Sequence, residues 1–480
     1  MKLREHEGLT FDDVLLVPKR SSIASRTAVN TGTKLSKRLN LAIPIISANM
    51  DTVTEAPMAI AMARAGGLGV VHRFMTIDQQ AREVSRVKRA ESYVVESPES
   101  IRPDISVAEA KAQMQVNDIG GFLVMDGEAL IGILTMRDVL LAPDATASVR
   151  SVMTPRSKLI VGVPNIAMSE ARRMLHEHHI EKLPLVDAQG RVHGLITTQD
   201  LIKQQDFPNA TKDSKGRLRV GAAIGVRRDD LERAAACVNV GADVLVVDIA
   251  HGHSDHEIEM IKQLKLRFPT VDVIGGNVAT ADGVRDLAAA GADAIKVGVG
   301  SGSICITRVV TGFGVPQLTA ILDCAEAAKA LGVPLISDGG IRTSGDLTKA
   351  LAAGADSVMV GSLLAGTEES PGASVIRNGR RFKVVRGMAS LTANIDRKVV
   401  EKGGAVDNED WEKVVPEGVE AVVPFRGAAK DVLYQLVGGL RSGLSYAGAT
   451  CIHELQHNAE FLRMSPASMR ESGSHDVQET

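Results

Sequence analysis

"GADVLVVDIAHG", residues 241–252, decides the fold. A glycine closes a helical stretch, an apolar run follows without polar alternation, and a carboxylate stands where the run ends. The pattern returns as "GADAIKVGVG" at 291–300 and "GADSVMVGS" at 354–362. Glycine takes the left-handed conformation that ends many helices. An unbroken apolar run suits a strand buried on both faces, as in a parallel sheet. Working outward, "VDVIGGN" (271–277) and "VPLISDGG" (333–340) lie between these copies. "IPIISANMD" (43–51), "GLGVVHR" (67–73) and "RVGAAIG" (219–225) precede them. Eight strands in one series predict an α/β fold closed as a (β/α)8 TIM barrel, with an open doubly wound sheet as the alternative. Closure brings His72, Asp248, Asn277, Asp338 and Ser362 to one rim, where such barrels place their chemistry.

At 480 residues the chain exceeds one ordinary domain. Its 44 % hydrophobic and 24 % charged residues are those of a globular protein. Net charge is −3 and no Lys/Arg block stands out, so nothing points to nucleic acid. No apolar stretch approaches the roughly 18 residues of a membrane span. The start, "MKLREHEGLTFDD", lacks the hydrophobic segment of a secretory leader. Four scattered cysteines, at 237, 305, 324 and 451, fit neither a disulfide framework nor CxxC metal spacing. A cytoplasmic protein with reduced thiols is expected.

The strand series is interrupted between the second and third strands by residues 92–208. There "GGFLVMDGEALIGILTMRDVL" is answered by "EKLPLVDAQGRVHGLITTQDLI", and Thr135/Asp138 match Thr197/Asp200 at an offset of 62 residues. Two copies in register make an internal duplication, each copy two strands joined by a turn and then a helix capped by the threonine. The pair, at about 95–147 and 153–208, resembles a CBS pair (Bateman domain), a module that binds adenine or guanine nucleotides in many proteins. By that resemblance Asp138 and Asp200 would meet ribose hydroxyls beside Thr135 and Thr197. The plain alternative for each is a helix cap with an acidic first turn. The barrel then comprises 1–91 and 209–480, with a flap at about 385–424.

"GVGSGSICITR" (298–308) sets Cys305 beyond a run of small residues that offer it no packing partners. That is unlike a structural cysteine, which is a small core hydrophobe. A thiolate is a nucleophile, and the small residues let a flat base and backbone amides approach it.

The chain resembles the IMP dehydrogenase/GMP reductase family through an ordered set of segments. They are "LTFDDVLLVP" (9), "SKGRLRVGAAIG" (214), "VVDIAHGHS" (246), "IGGNVAT" (274), "GSICITR" (302), "SDGGIR" (337), "VPEGVE" (415) and "ESGSHDV" (471). The resemblance implies a TIM barrel carrying a CBS pair, assembled as homotetramers or octamers. It implies a covalent bond between Cys305 and C2 of GMP or IMP, with Thr307 relaying a proton. Asp248, Ile249, Ala250, Ser254, Asn277, Gly298, Val299 and Gly300 match its dinucleotide positions. There is no GxGxxG, so the dinucleotide site is not of the Rossmann kind. A potassium-like monovalent cation would sit at Gly300, Gly302 and the Cys305 carbonyl. ATP and GTP are the regulatory ligands expected at the CBS pair.

The phosphate of the purine nucleotide is expected at the ends of the seventh and eighth strands, where barrels of this type bind phosphate. Gly340, Gly361 and Ser362 would donate backbone N–H groups, and Ser303 a hydroxyl. Asp338 would accept from the ribose, while Glu417 resembles the family residue that meets the purine edge.

Direction is read from departures. Dehydrogenases of the family carry an Arg-Tyr pair on the flap to activate water; here "SLTANIDRKVVEKGG" (390–404) keeps Arg397 and has Lys398 in the tyrosine position. Asn49 in "ANMDTV", "TGFGVPQL" (311–318) and Val385 in "KVVRGM" lean the same way. Against this, Leu391 stands where reductases carry a glutamate, and the inserted pair and the "ESGSHDV" tail are commoner in dehydrogenases. The expected activity is NADPH-dependent reductive deamination of GMP to IMP. IMP dehydrogenation with NAD is the alternative, and a nucleotide sensor without catalysis the third reading.

Overall fold

A computed structural model describes residues 3–91, 94–95, 98–117, 119–198, 201, 207–402 and 414–473. It separates into two compact units: residues 1–90, 209–213 and 218–480, and residues 91–208 with 214–217.

The larger unit holds eight parallel strands that close on themselves. They are β1 (Ile45–Ser47), β2 (Leu68–Val71), β3 (Gly221–Ile224), β4 (Val244–Asp248), β5 (Asp272–Val278), β6 (Ala294–Val297), β7 (Leu335–Asp338) and β8 (Ser357–Val360). Each pairs with its neighbour in chain order, and β8 pairs with β1, so the open-sheet alternative is excluded. Helices α1 (Ala56–Arg64), α2 (Ile77–Ala90), α3 (Asp230–Asn239), α4 (Asp255–Arg267), α5 (Ala281–Ala289), α6 (Gln317–Leu331) and α7 (Ser344–Ala352) follow the first seven strands. Another, α8 (Ala429–Tyr446), packs against α7 and α1 after the flap. Caps are local: Ser254, Thr280 and Thr343 accept backbone N–H groups in the first turns of α4, α5 and α7. No helix among the described residues is long and apolar enough to cross a membrane.

The recurring Gly-Ala-Asp explains itself here. Gly241, Gly291 and Gly354 have φ of +102°, +107° and +112°, a region side chains avoid. Each following aspartate stitches its strand to the preceding one. Asp243, Asp293 and Asp356 accept the backbone N–H of Val220, Val273 and Leu335 at 2.9, 2.9 and 2.8 Å. Lys88 pairs with Asp243 at 2.9 Å and Lys265 with Asp293 at 2.6 Å.

In the smaller unit, helix Val107–Asn117 precedes the hairpin Gly121–Asp126/Ala129–Thr135, and helix Met168–Glu177 precedes the hairpin Lys182–Val186/Val192–Thr197. The duplication reaches single bridges: Ser100 pairs in parallel with Leu123, and Gly162 with Leu185, a shift of 62 residues. Phe122 and Val124 belong to one core and Leu183 and Leu185 to the other. Leu123, Ile133, Val186 and Leu195 form a third cluster between the hairpins. Thr135 and Asp138 make a capping box, with the Asp138 Oδ2 accepting the Thr135 N–H at 2.8 Å and its hydroxyl at 2.7 Å. Thr197 ends its strand; Asp200 lies outside the described residues.

Unlike Asp243 and Asp293, Asp356 has no ion-pair partner among the described residues, and burial pushes its carboxyl up to about 6. A carboxyl that holds its proton more tightly in the folded chain favours folding most below its ordinary range. That advantage is lost as pH rises through about 6. Asp356→Asn keeps an oxygen for the Leu335 N–H without the charge. Relative to this variant the parent chain should lose on the order of 2 kcal/mol between about pH 4 and pH 7. Denaturant unfolding of both proteins across that range checks it, and a gap independent of pH would count against the assignment.

Candidate active site

The C-terminal strand ends open into a cavity of about 310 Å³. Asn49, Arg73, Asp248, Asn277, the loop 298–302 and Asp338 line it from the barrel. Gly387, Met388, Asn394, Arg397, Glu417 and Gly418 line it from the flap. The flap is built from an antiparallel sheet, Ser374–Arg377, Arg380–Arg386 and Glu420–Pro424, and a helix, Leu391–Lys402. Arg386 ties it to the barrel: it donates to Asp51 at 2.8 Å and reaches Thr392 and Asp396 of the flap helix at 3.1 and 2.7 Å.

Cys305 sits on a loop that gains its shape from the flap. Ile306 N–H donates to the Glu417 carbonyl at 2.8 Å and Val419 N–H to the Ile304 carbonyl at 3.0 Å, so Cys305 bridges Gly418 in antiparallel fashion. The approach is close: a Cβ on Gly418 would lie 3.1 Å from the Ser390 nitrogen and 3.2 Å from the Gly387 Cα. This zipper delivers Glu417. The Cys305 Sγ lies 3.2 Å from the Thr307 Oγ1, which donates to the Glu417 Oε2 at 2.8 Å. Thiol, hydroxyl and carboxylate therefore form one hydrogen-bonded chain. "VPEGVE" named Glu417 for the purine edge. Its contact with Thr307 spans 110 residues and has no local signature.

On the opposite wall stands a charged cluster. Lys296, 1 % exposed, donates to the Asp338 Oδ2 at 2.7 Å, to the Asp248 Oδ1 at 2.9 Å and to the Asn277 Oδ1. Asn49 Nδ2 donates to the Asp248 Oδ2 at 2.5 Å, and Asn277 Nδ2 to the Gly298 carbonyl at 2.7 Å and to Asp338 at 3.0 Å. Burial works against the Asp248 charge, but Lys296 and Asn49 outweigh it and hold the carboxyl below its ordinary range. Behind Asn277, Glu257 accepts the Gly276 N–H at 2.5 Å; burial pushes its carboxyl up to about 9, so it is neutral at pH 7.

Of the residues named from sequence, Asn49, Asp248, Ile249, Ala250, Asn277 and Gly298 to Gly300 line this cavity, as do Gly302, Cys305, Thr307, Asp338 and Glu417. Ser303, Gly340, Gly361, Ser362 and Ser254 are not among its lining. Ser303 and Ser362 nevertheless come together, their hydroxyls 3.5 Å apart, at the ends of β6 and β8. Ser254 has another duty, accepting the Glu257 N–H as the cap of α4. His72 is buried, its Nδ1 accepting the Phe74 N–H at 3.1 Å. Val385 is fully buried and offers no polar group to a phosphate. Sequence reasoning missed Lys296 and Arg73. Lys296 did leave a signal, a lysine inside an otherwise apolar strand.

Comparison with known proteins agrees with this geometry. A family model described as IMP dehydrogenase / GMP reductase domain matches residues 8–475. The chain is 56 % identical to inosine-5'-monophosphate dehydrogenase of Nitrosopumilus maritimus, with 98 % of each protein covered. It is 50 % identical to GMP reductase of Leishmania donovani, over 98 % of this chain and 97 % of that protein. Among solved structures, a cysteine-to-alanine variant of Trypanosoma brucei GMP reductase in complex with guanosine 5'-monophosphate superposes with a TM-score of 0.89. It has 46 % identity, with 98 % of each chain covered.

Cys237 and Cys324 are buried and desolvation pushes both up to about 12, which leaves them as thiols, whereas Cys305 opens to the cavity. Brief treatment of the native protein with iodoacetamide should alkylate Cys305 and spare Cys237 and Cys324. Peptide mass spectrometry reads the order, and equal labelling of either buried cysteine would contradict it.

Proposed function

The chain belongs to the IMP dehydrogenase/GMP reductase family, and we propose that it catalyses the reductive deamination of GMP to IMP and ammonia with NADPH. The observation that carries this reading is the Cys305–Thr307–Glu417 chain. It gives the nucleophile a proton acceptor and the leaving amine a proton donor in one line.

The thiol proton passes through the Thr307 hydroxyl to the Glu417 carboxylate, and the Cys305 sulfur bonds to C2 of the purine. The exocyclic C2–N bond breaks, and the proton held on Glu417 returns through Thr307 to the departing ammonia. Asp338 and Asn49 border the same cavity from β7 and β1, where Asp338 accepts from the ribose of the bound nucleotide. Asp248, Asn277 and Gly298 to Gly300 would hold the dinucleotide; its fit rests on a carboxylate kept ionised by Lys296 and on a loop where Gly298 and Gly300 flank Val299 and carry no side chain. When bound, the dinucleotide supplies hydride to C2. The sulfur then leaves as thiolate, and IMP is complete. The carbonyls of Gly300, Gly302 and Cys305 are uncharged oxygens of the kind that replaces the hydration shell of potassium.

IMP dehydrogenation is the second reading, favoured by Arg397 on the cavity wall and by the 56 % identical dehydrogenase relative. It needs a base to activate water, and Lys398 stands where dehydrogenases of the family pair that arginine with tyrosine. In the smaller unit, the two hairpins related by the 62-residue repeat, and the capped helix Met136–Leu141 after the first, support a CBS pair open to adenine or guanine nucleotides. A homotetramer or octamer is part of the same proposal.

Purified protein mixed with GMP and NADPH should lose reduced-nicotinamide absorbance and release one ammonia per NADPH oxidised. Cys305→Ala should abolish this. XMP accumulating from IMP and NAD, with no reaction from GMP, would overturn the reductive direction.

Glu417→Gln keeps the shape of the side chain and removes the proton store. It should lower kcat by about 10²–10⁴ and leave GMP affinity nearly intact. Thr307→Ala should cost a similar factor, with the double variant little worse than either single one. Stopped-flow and steady-state rates check this, and a fully additive double variant would break the chain apart.

A further inference from the structure

The mechanism leaves Lys296 without a task. Its ammonium has three donors and the structure provides three acceptors, on Asp248, Asn277 and Asp338. No donor remains for a ligand, so its action runs through its neighbours. Burial penalises its charge, yet Asp248 and Asp338 outweigh that and raise its pKa above the ordinary lysine value. The two carboxylates it joins come from different strand ends, β4 and β7, and each is partly open to the cavity, with 25 % and 22 % of the side chain exposed. Asp338 takes both Lys296 and Asn277 on Oδ2, leaving Oδ1 without a hydrogen bond among the described residues. Asn277 in turn fixes the Gly298 carbonyl at 2.7 Å.

We propose that Lys296 is a positioning residue that couples the two ligand sites, so that the purine nucleotide at Asp338 tightens the binding of the dinucleotide at Asp248. The inference rests on the reading of Asp338 and Asp248 as the two ribose acceptors. A ribose hydroxyl donating to Asp338 fixes that carboxylate and the ammonium on it. Through Lys296 it also fixes Asn277 and Asp248, so the second ligand meets acceptors already ordered and does not have to order them itself. By linkage the dinucleotide tightens the nucleotide by the same factor.

The test uses the full chain carrying Cys305→Ala, so that nothing turns over. NADPH fluorescence titrations with and without GMP should show at least about fivefold tighter NADPH binding when GMP is bound. Adding Lys296→Gln should bring the ratio of the two dissociation constants close to one, and Lys296→Arg should restore most of it. A purely structural lysine would weaken both affinities and leave their ratio unchanged. Because Lys296→Gln leaves two carboxylates uncompensated and can unfold the barrel, Lys296→Gln/Asp248→Asn is measured beside it. That pair keeps the net charge of the cluster, and its ratio should also fall to one. A ratio near one in the parent, or one well above one that survives both Lys296→Gln and Lys296→Gln/Asp248→Asn, overturns the proposal. Asp338→Asn and Asp248→Asn test the underlying reading separately: unchanged GMP and NADPH affinities there would remove the ribose assignments, whatever Lys296 does.

Discussion

A closed barrel of parallel strands has no wet face, and that constraint governs what its strands can carry inward. An unpaired charge left in such an interior costs several kcal/mol. An ionised group is tolerated there when its counterpart comes with it; Asp356, which has none among the described residues, instead holds its proton more tightly. Lys296 is tolerable in β6 because β4 and β7 present Asp248 and Asp338 to it. The same rule works at the other end of the strands, where Lys88 and Lys265 answer Asp243 and Asp293. The cavity thus inherits carboxylates that are oriented and half-compensated before any ligand enters.

The Cys305 loop obeys a different constraint. It is made of residues too small to hold a shape by packing, which suits an approaching base and deprives Cys305 of a fixed position. The flap supplies that position through backbone hydrogen bonds at 304–306 and 417–419. Because Glu417 is part of the same zipper, placing the sulfur and placing the carboxylate that ends its hydrogen-bonded chain are one structural event. Gly387 and Gly418 make it possible, since a side chain at either would push the two segments apart. Arg386 then fastens the flap to Asp51, next to the Asn49 and Met50 that line the cavity.

Much of this was legible in the amino-acid order, for a physical reason. Strands buried on both faces must be continuous apolar runs, so all eight could be read, and five of the runs led to residues already placed on the rim, His72, Asp248, Asn277, Asp338 and Ser362. The duplication in the smaller unit was legible because repeated units repeat their pairing, down to Ser100 with Leu123 and Gly162 with Leu185. What could not be read was contact between distant segments. Thr307 and Glu417 were each singled out, but nothing local says that a hydroxyl and a carboxylate so far apart in sequence share a hydrogen bond. Ser254 carries a role that its motif did not disclose: read from sequence as a dinucleotide contact, its hydroxyl also accepts a backbone N–H in the first turn of α4. Lys296 was overlooked although the constraint on barrel interiors makes a lone lysine in "AIKV" a demand for two partners.

The direction of the reaction is a question about protons more than about the purine. Both activities of the family break the same bond between sulfur and C2; they differ in whether ammonia departs or water arrives. Departure needs a proton at the amine when the C2–N bond breaks, and the thiol releases one when it attacks. A relay that takes up the first and returns it needs no outside base. Arrival of water needs a group that removes a proton after the relay has already been used, and on this flap that duty would fall to Arg397. A guanidinium holds its proton across the physiological range unless its surroundings strip it. The next residue in the sequence is Lys398, where dehydrogenases of the family carry a tyrosine, so the phenol that would share that duty is missing. The Glu417 carboxylate lies instead on the Cys305 side of the cavity, linked to the sulfur through Thr307, where the proposed deamination would use it twice.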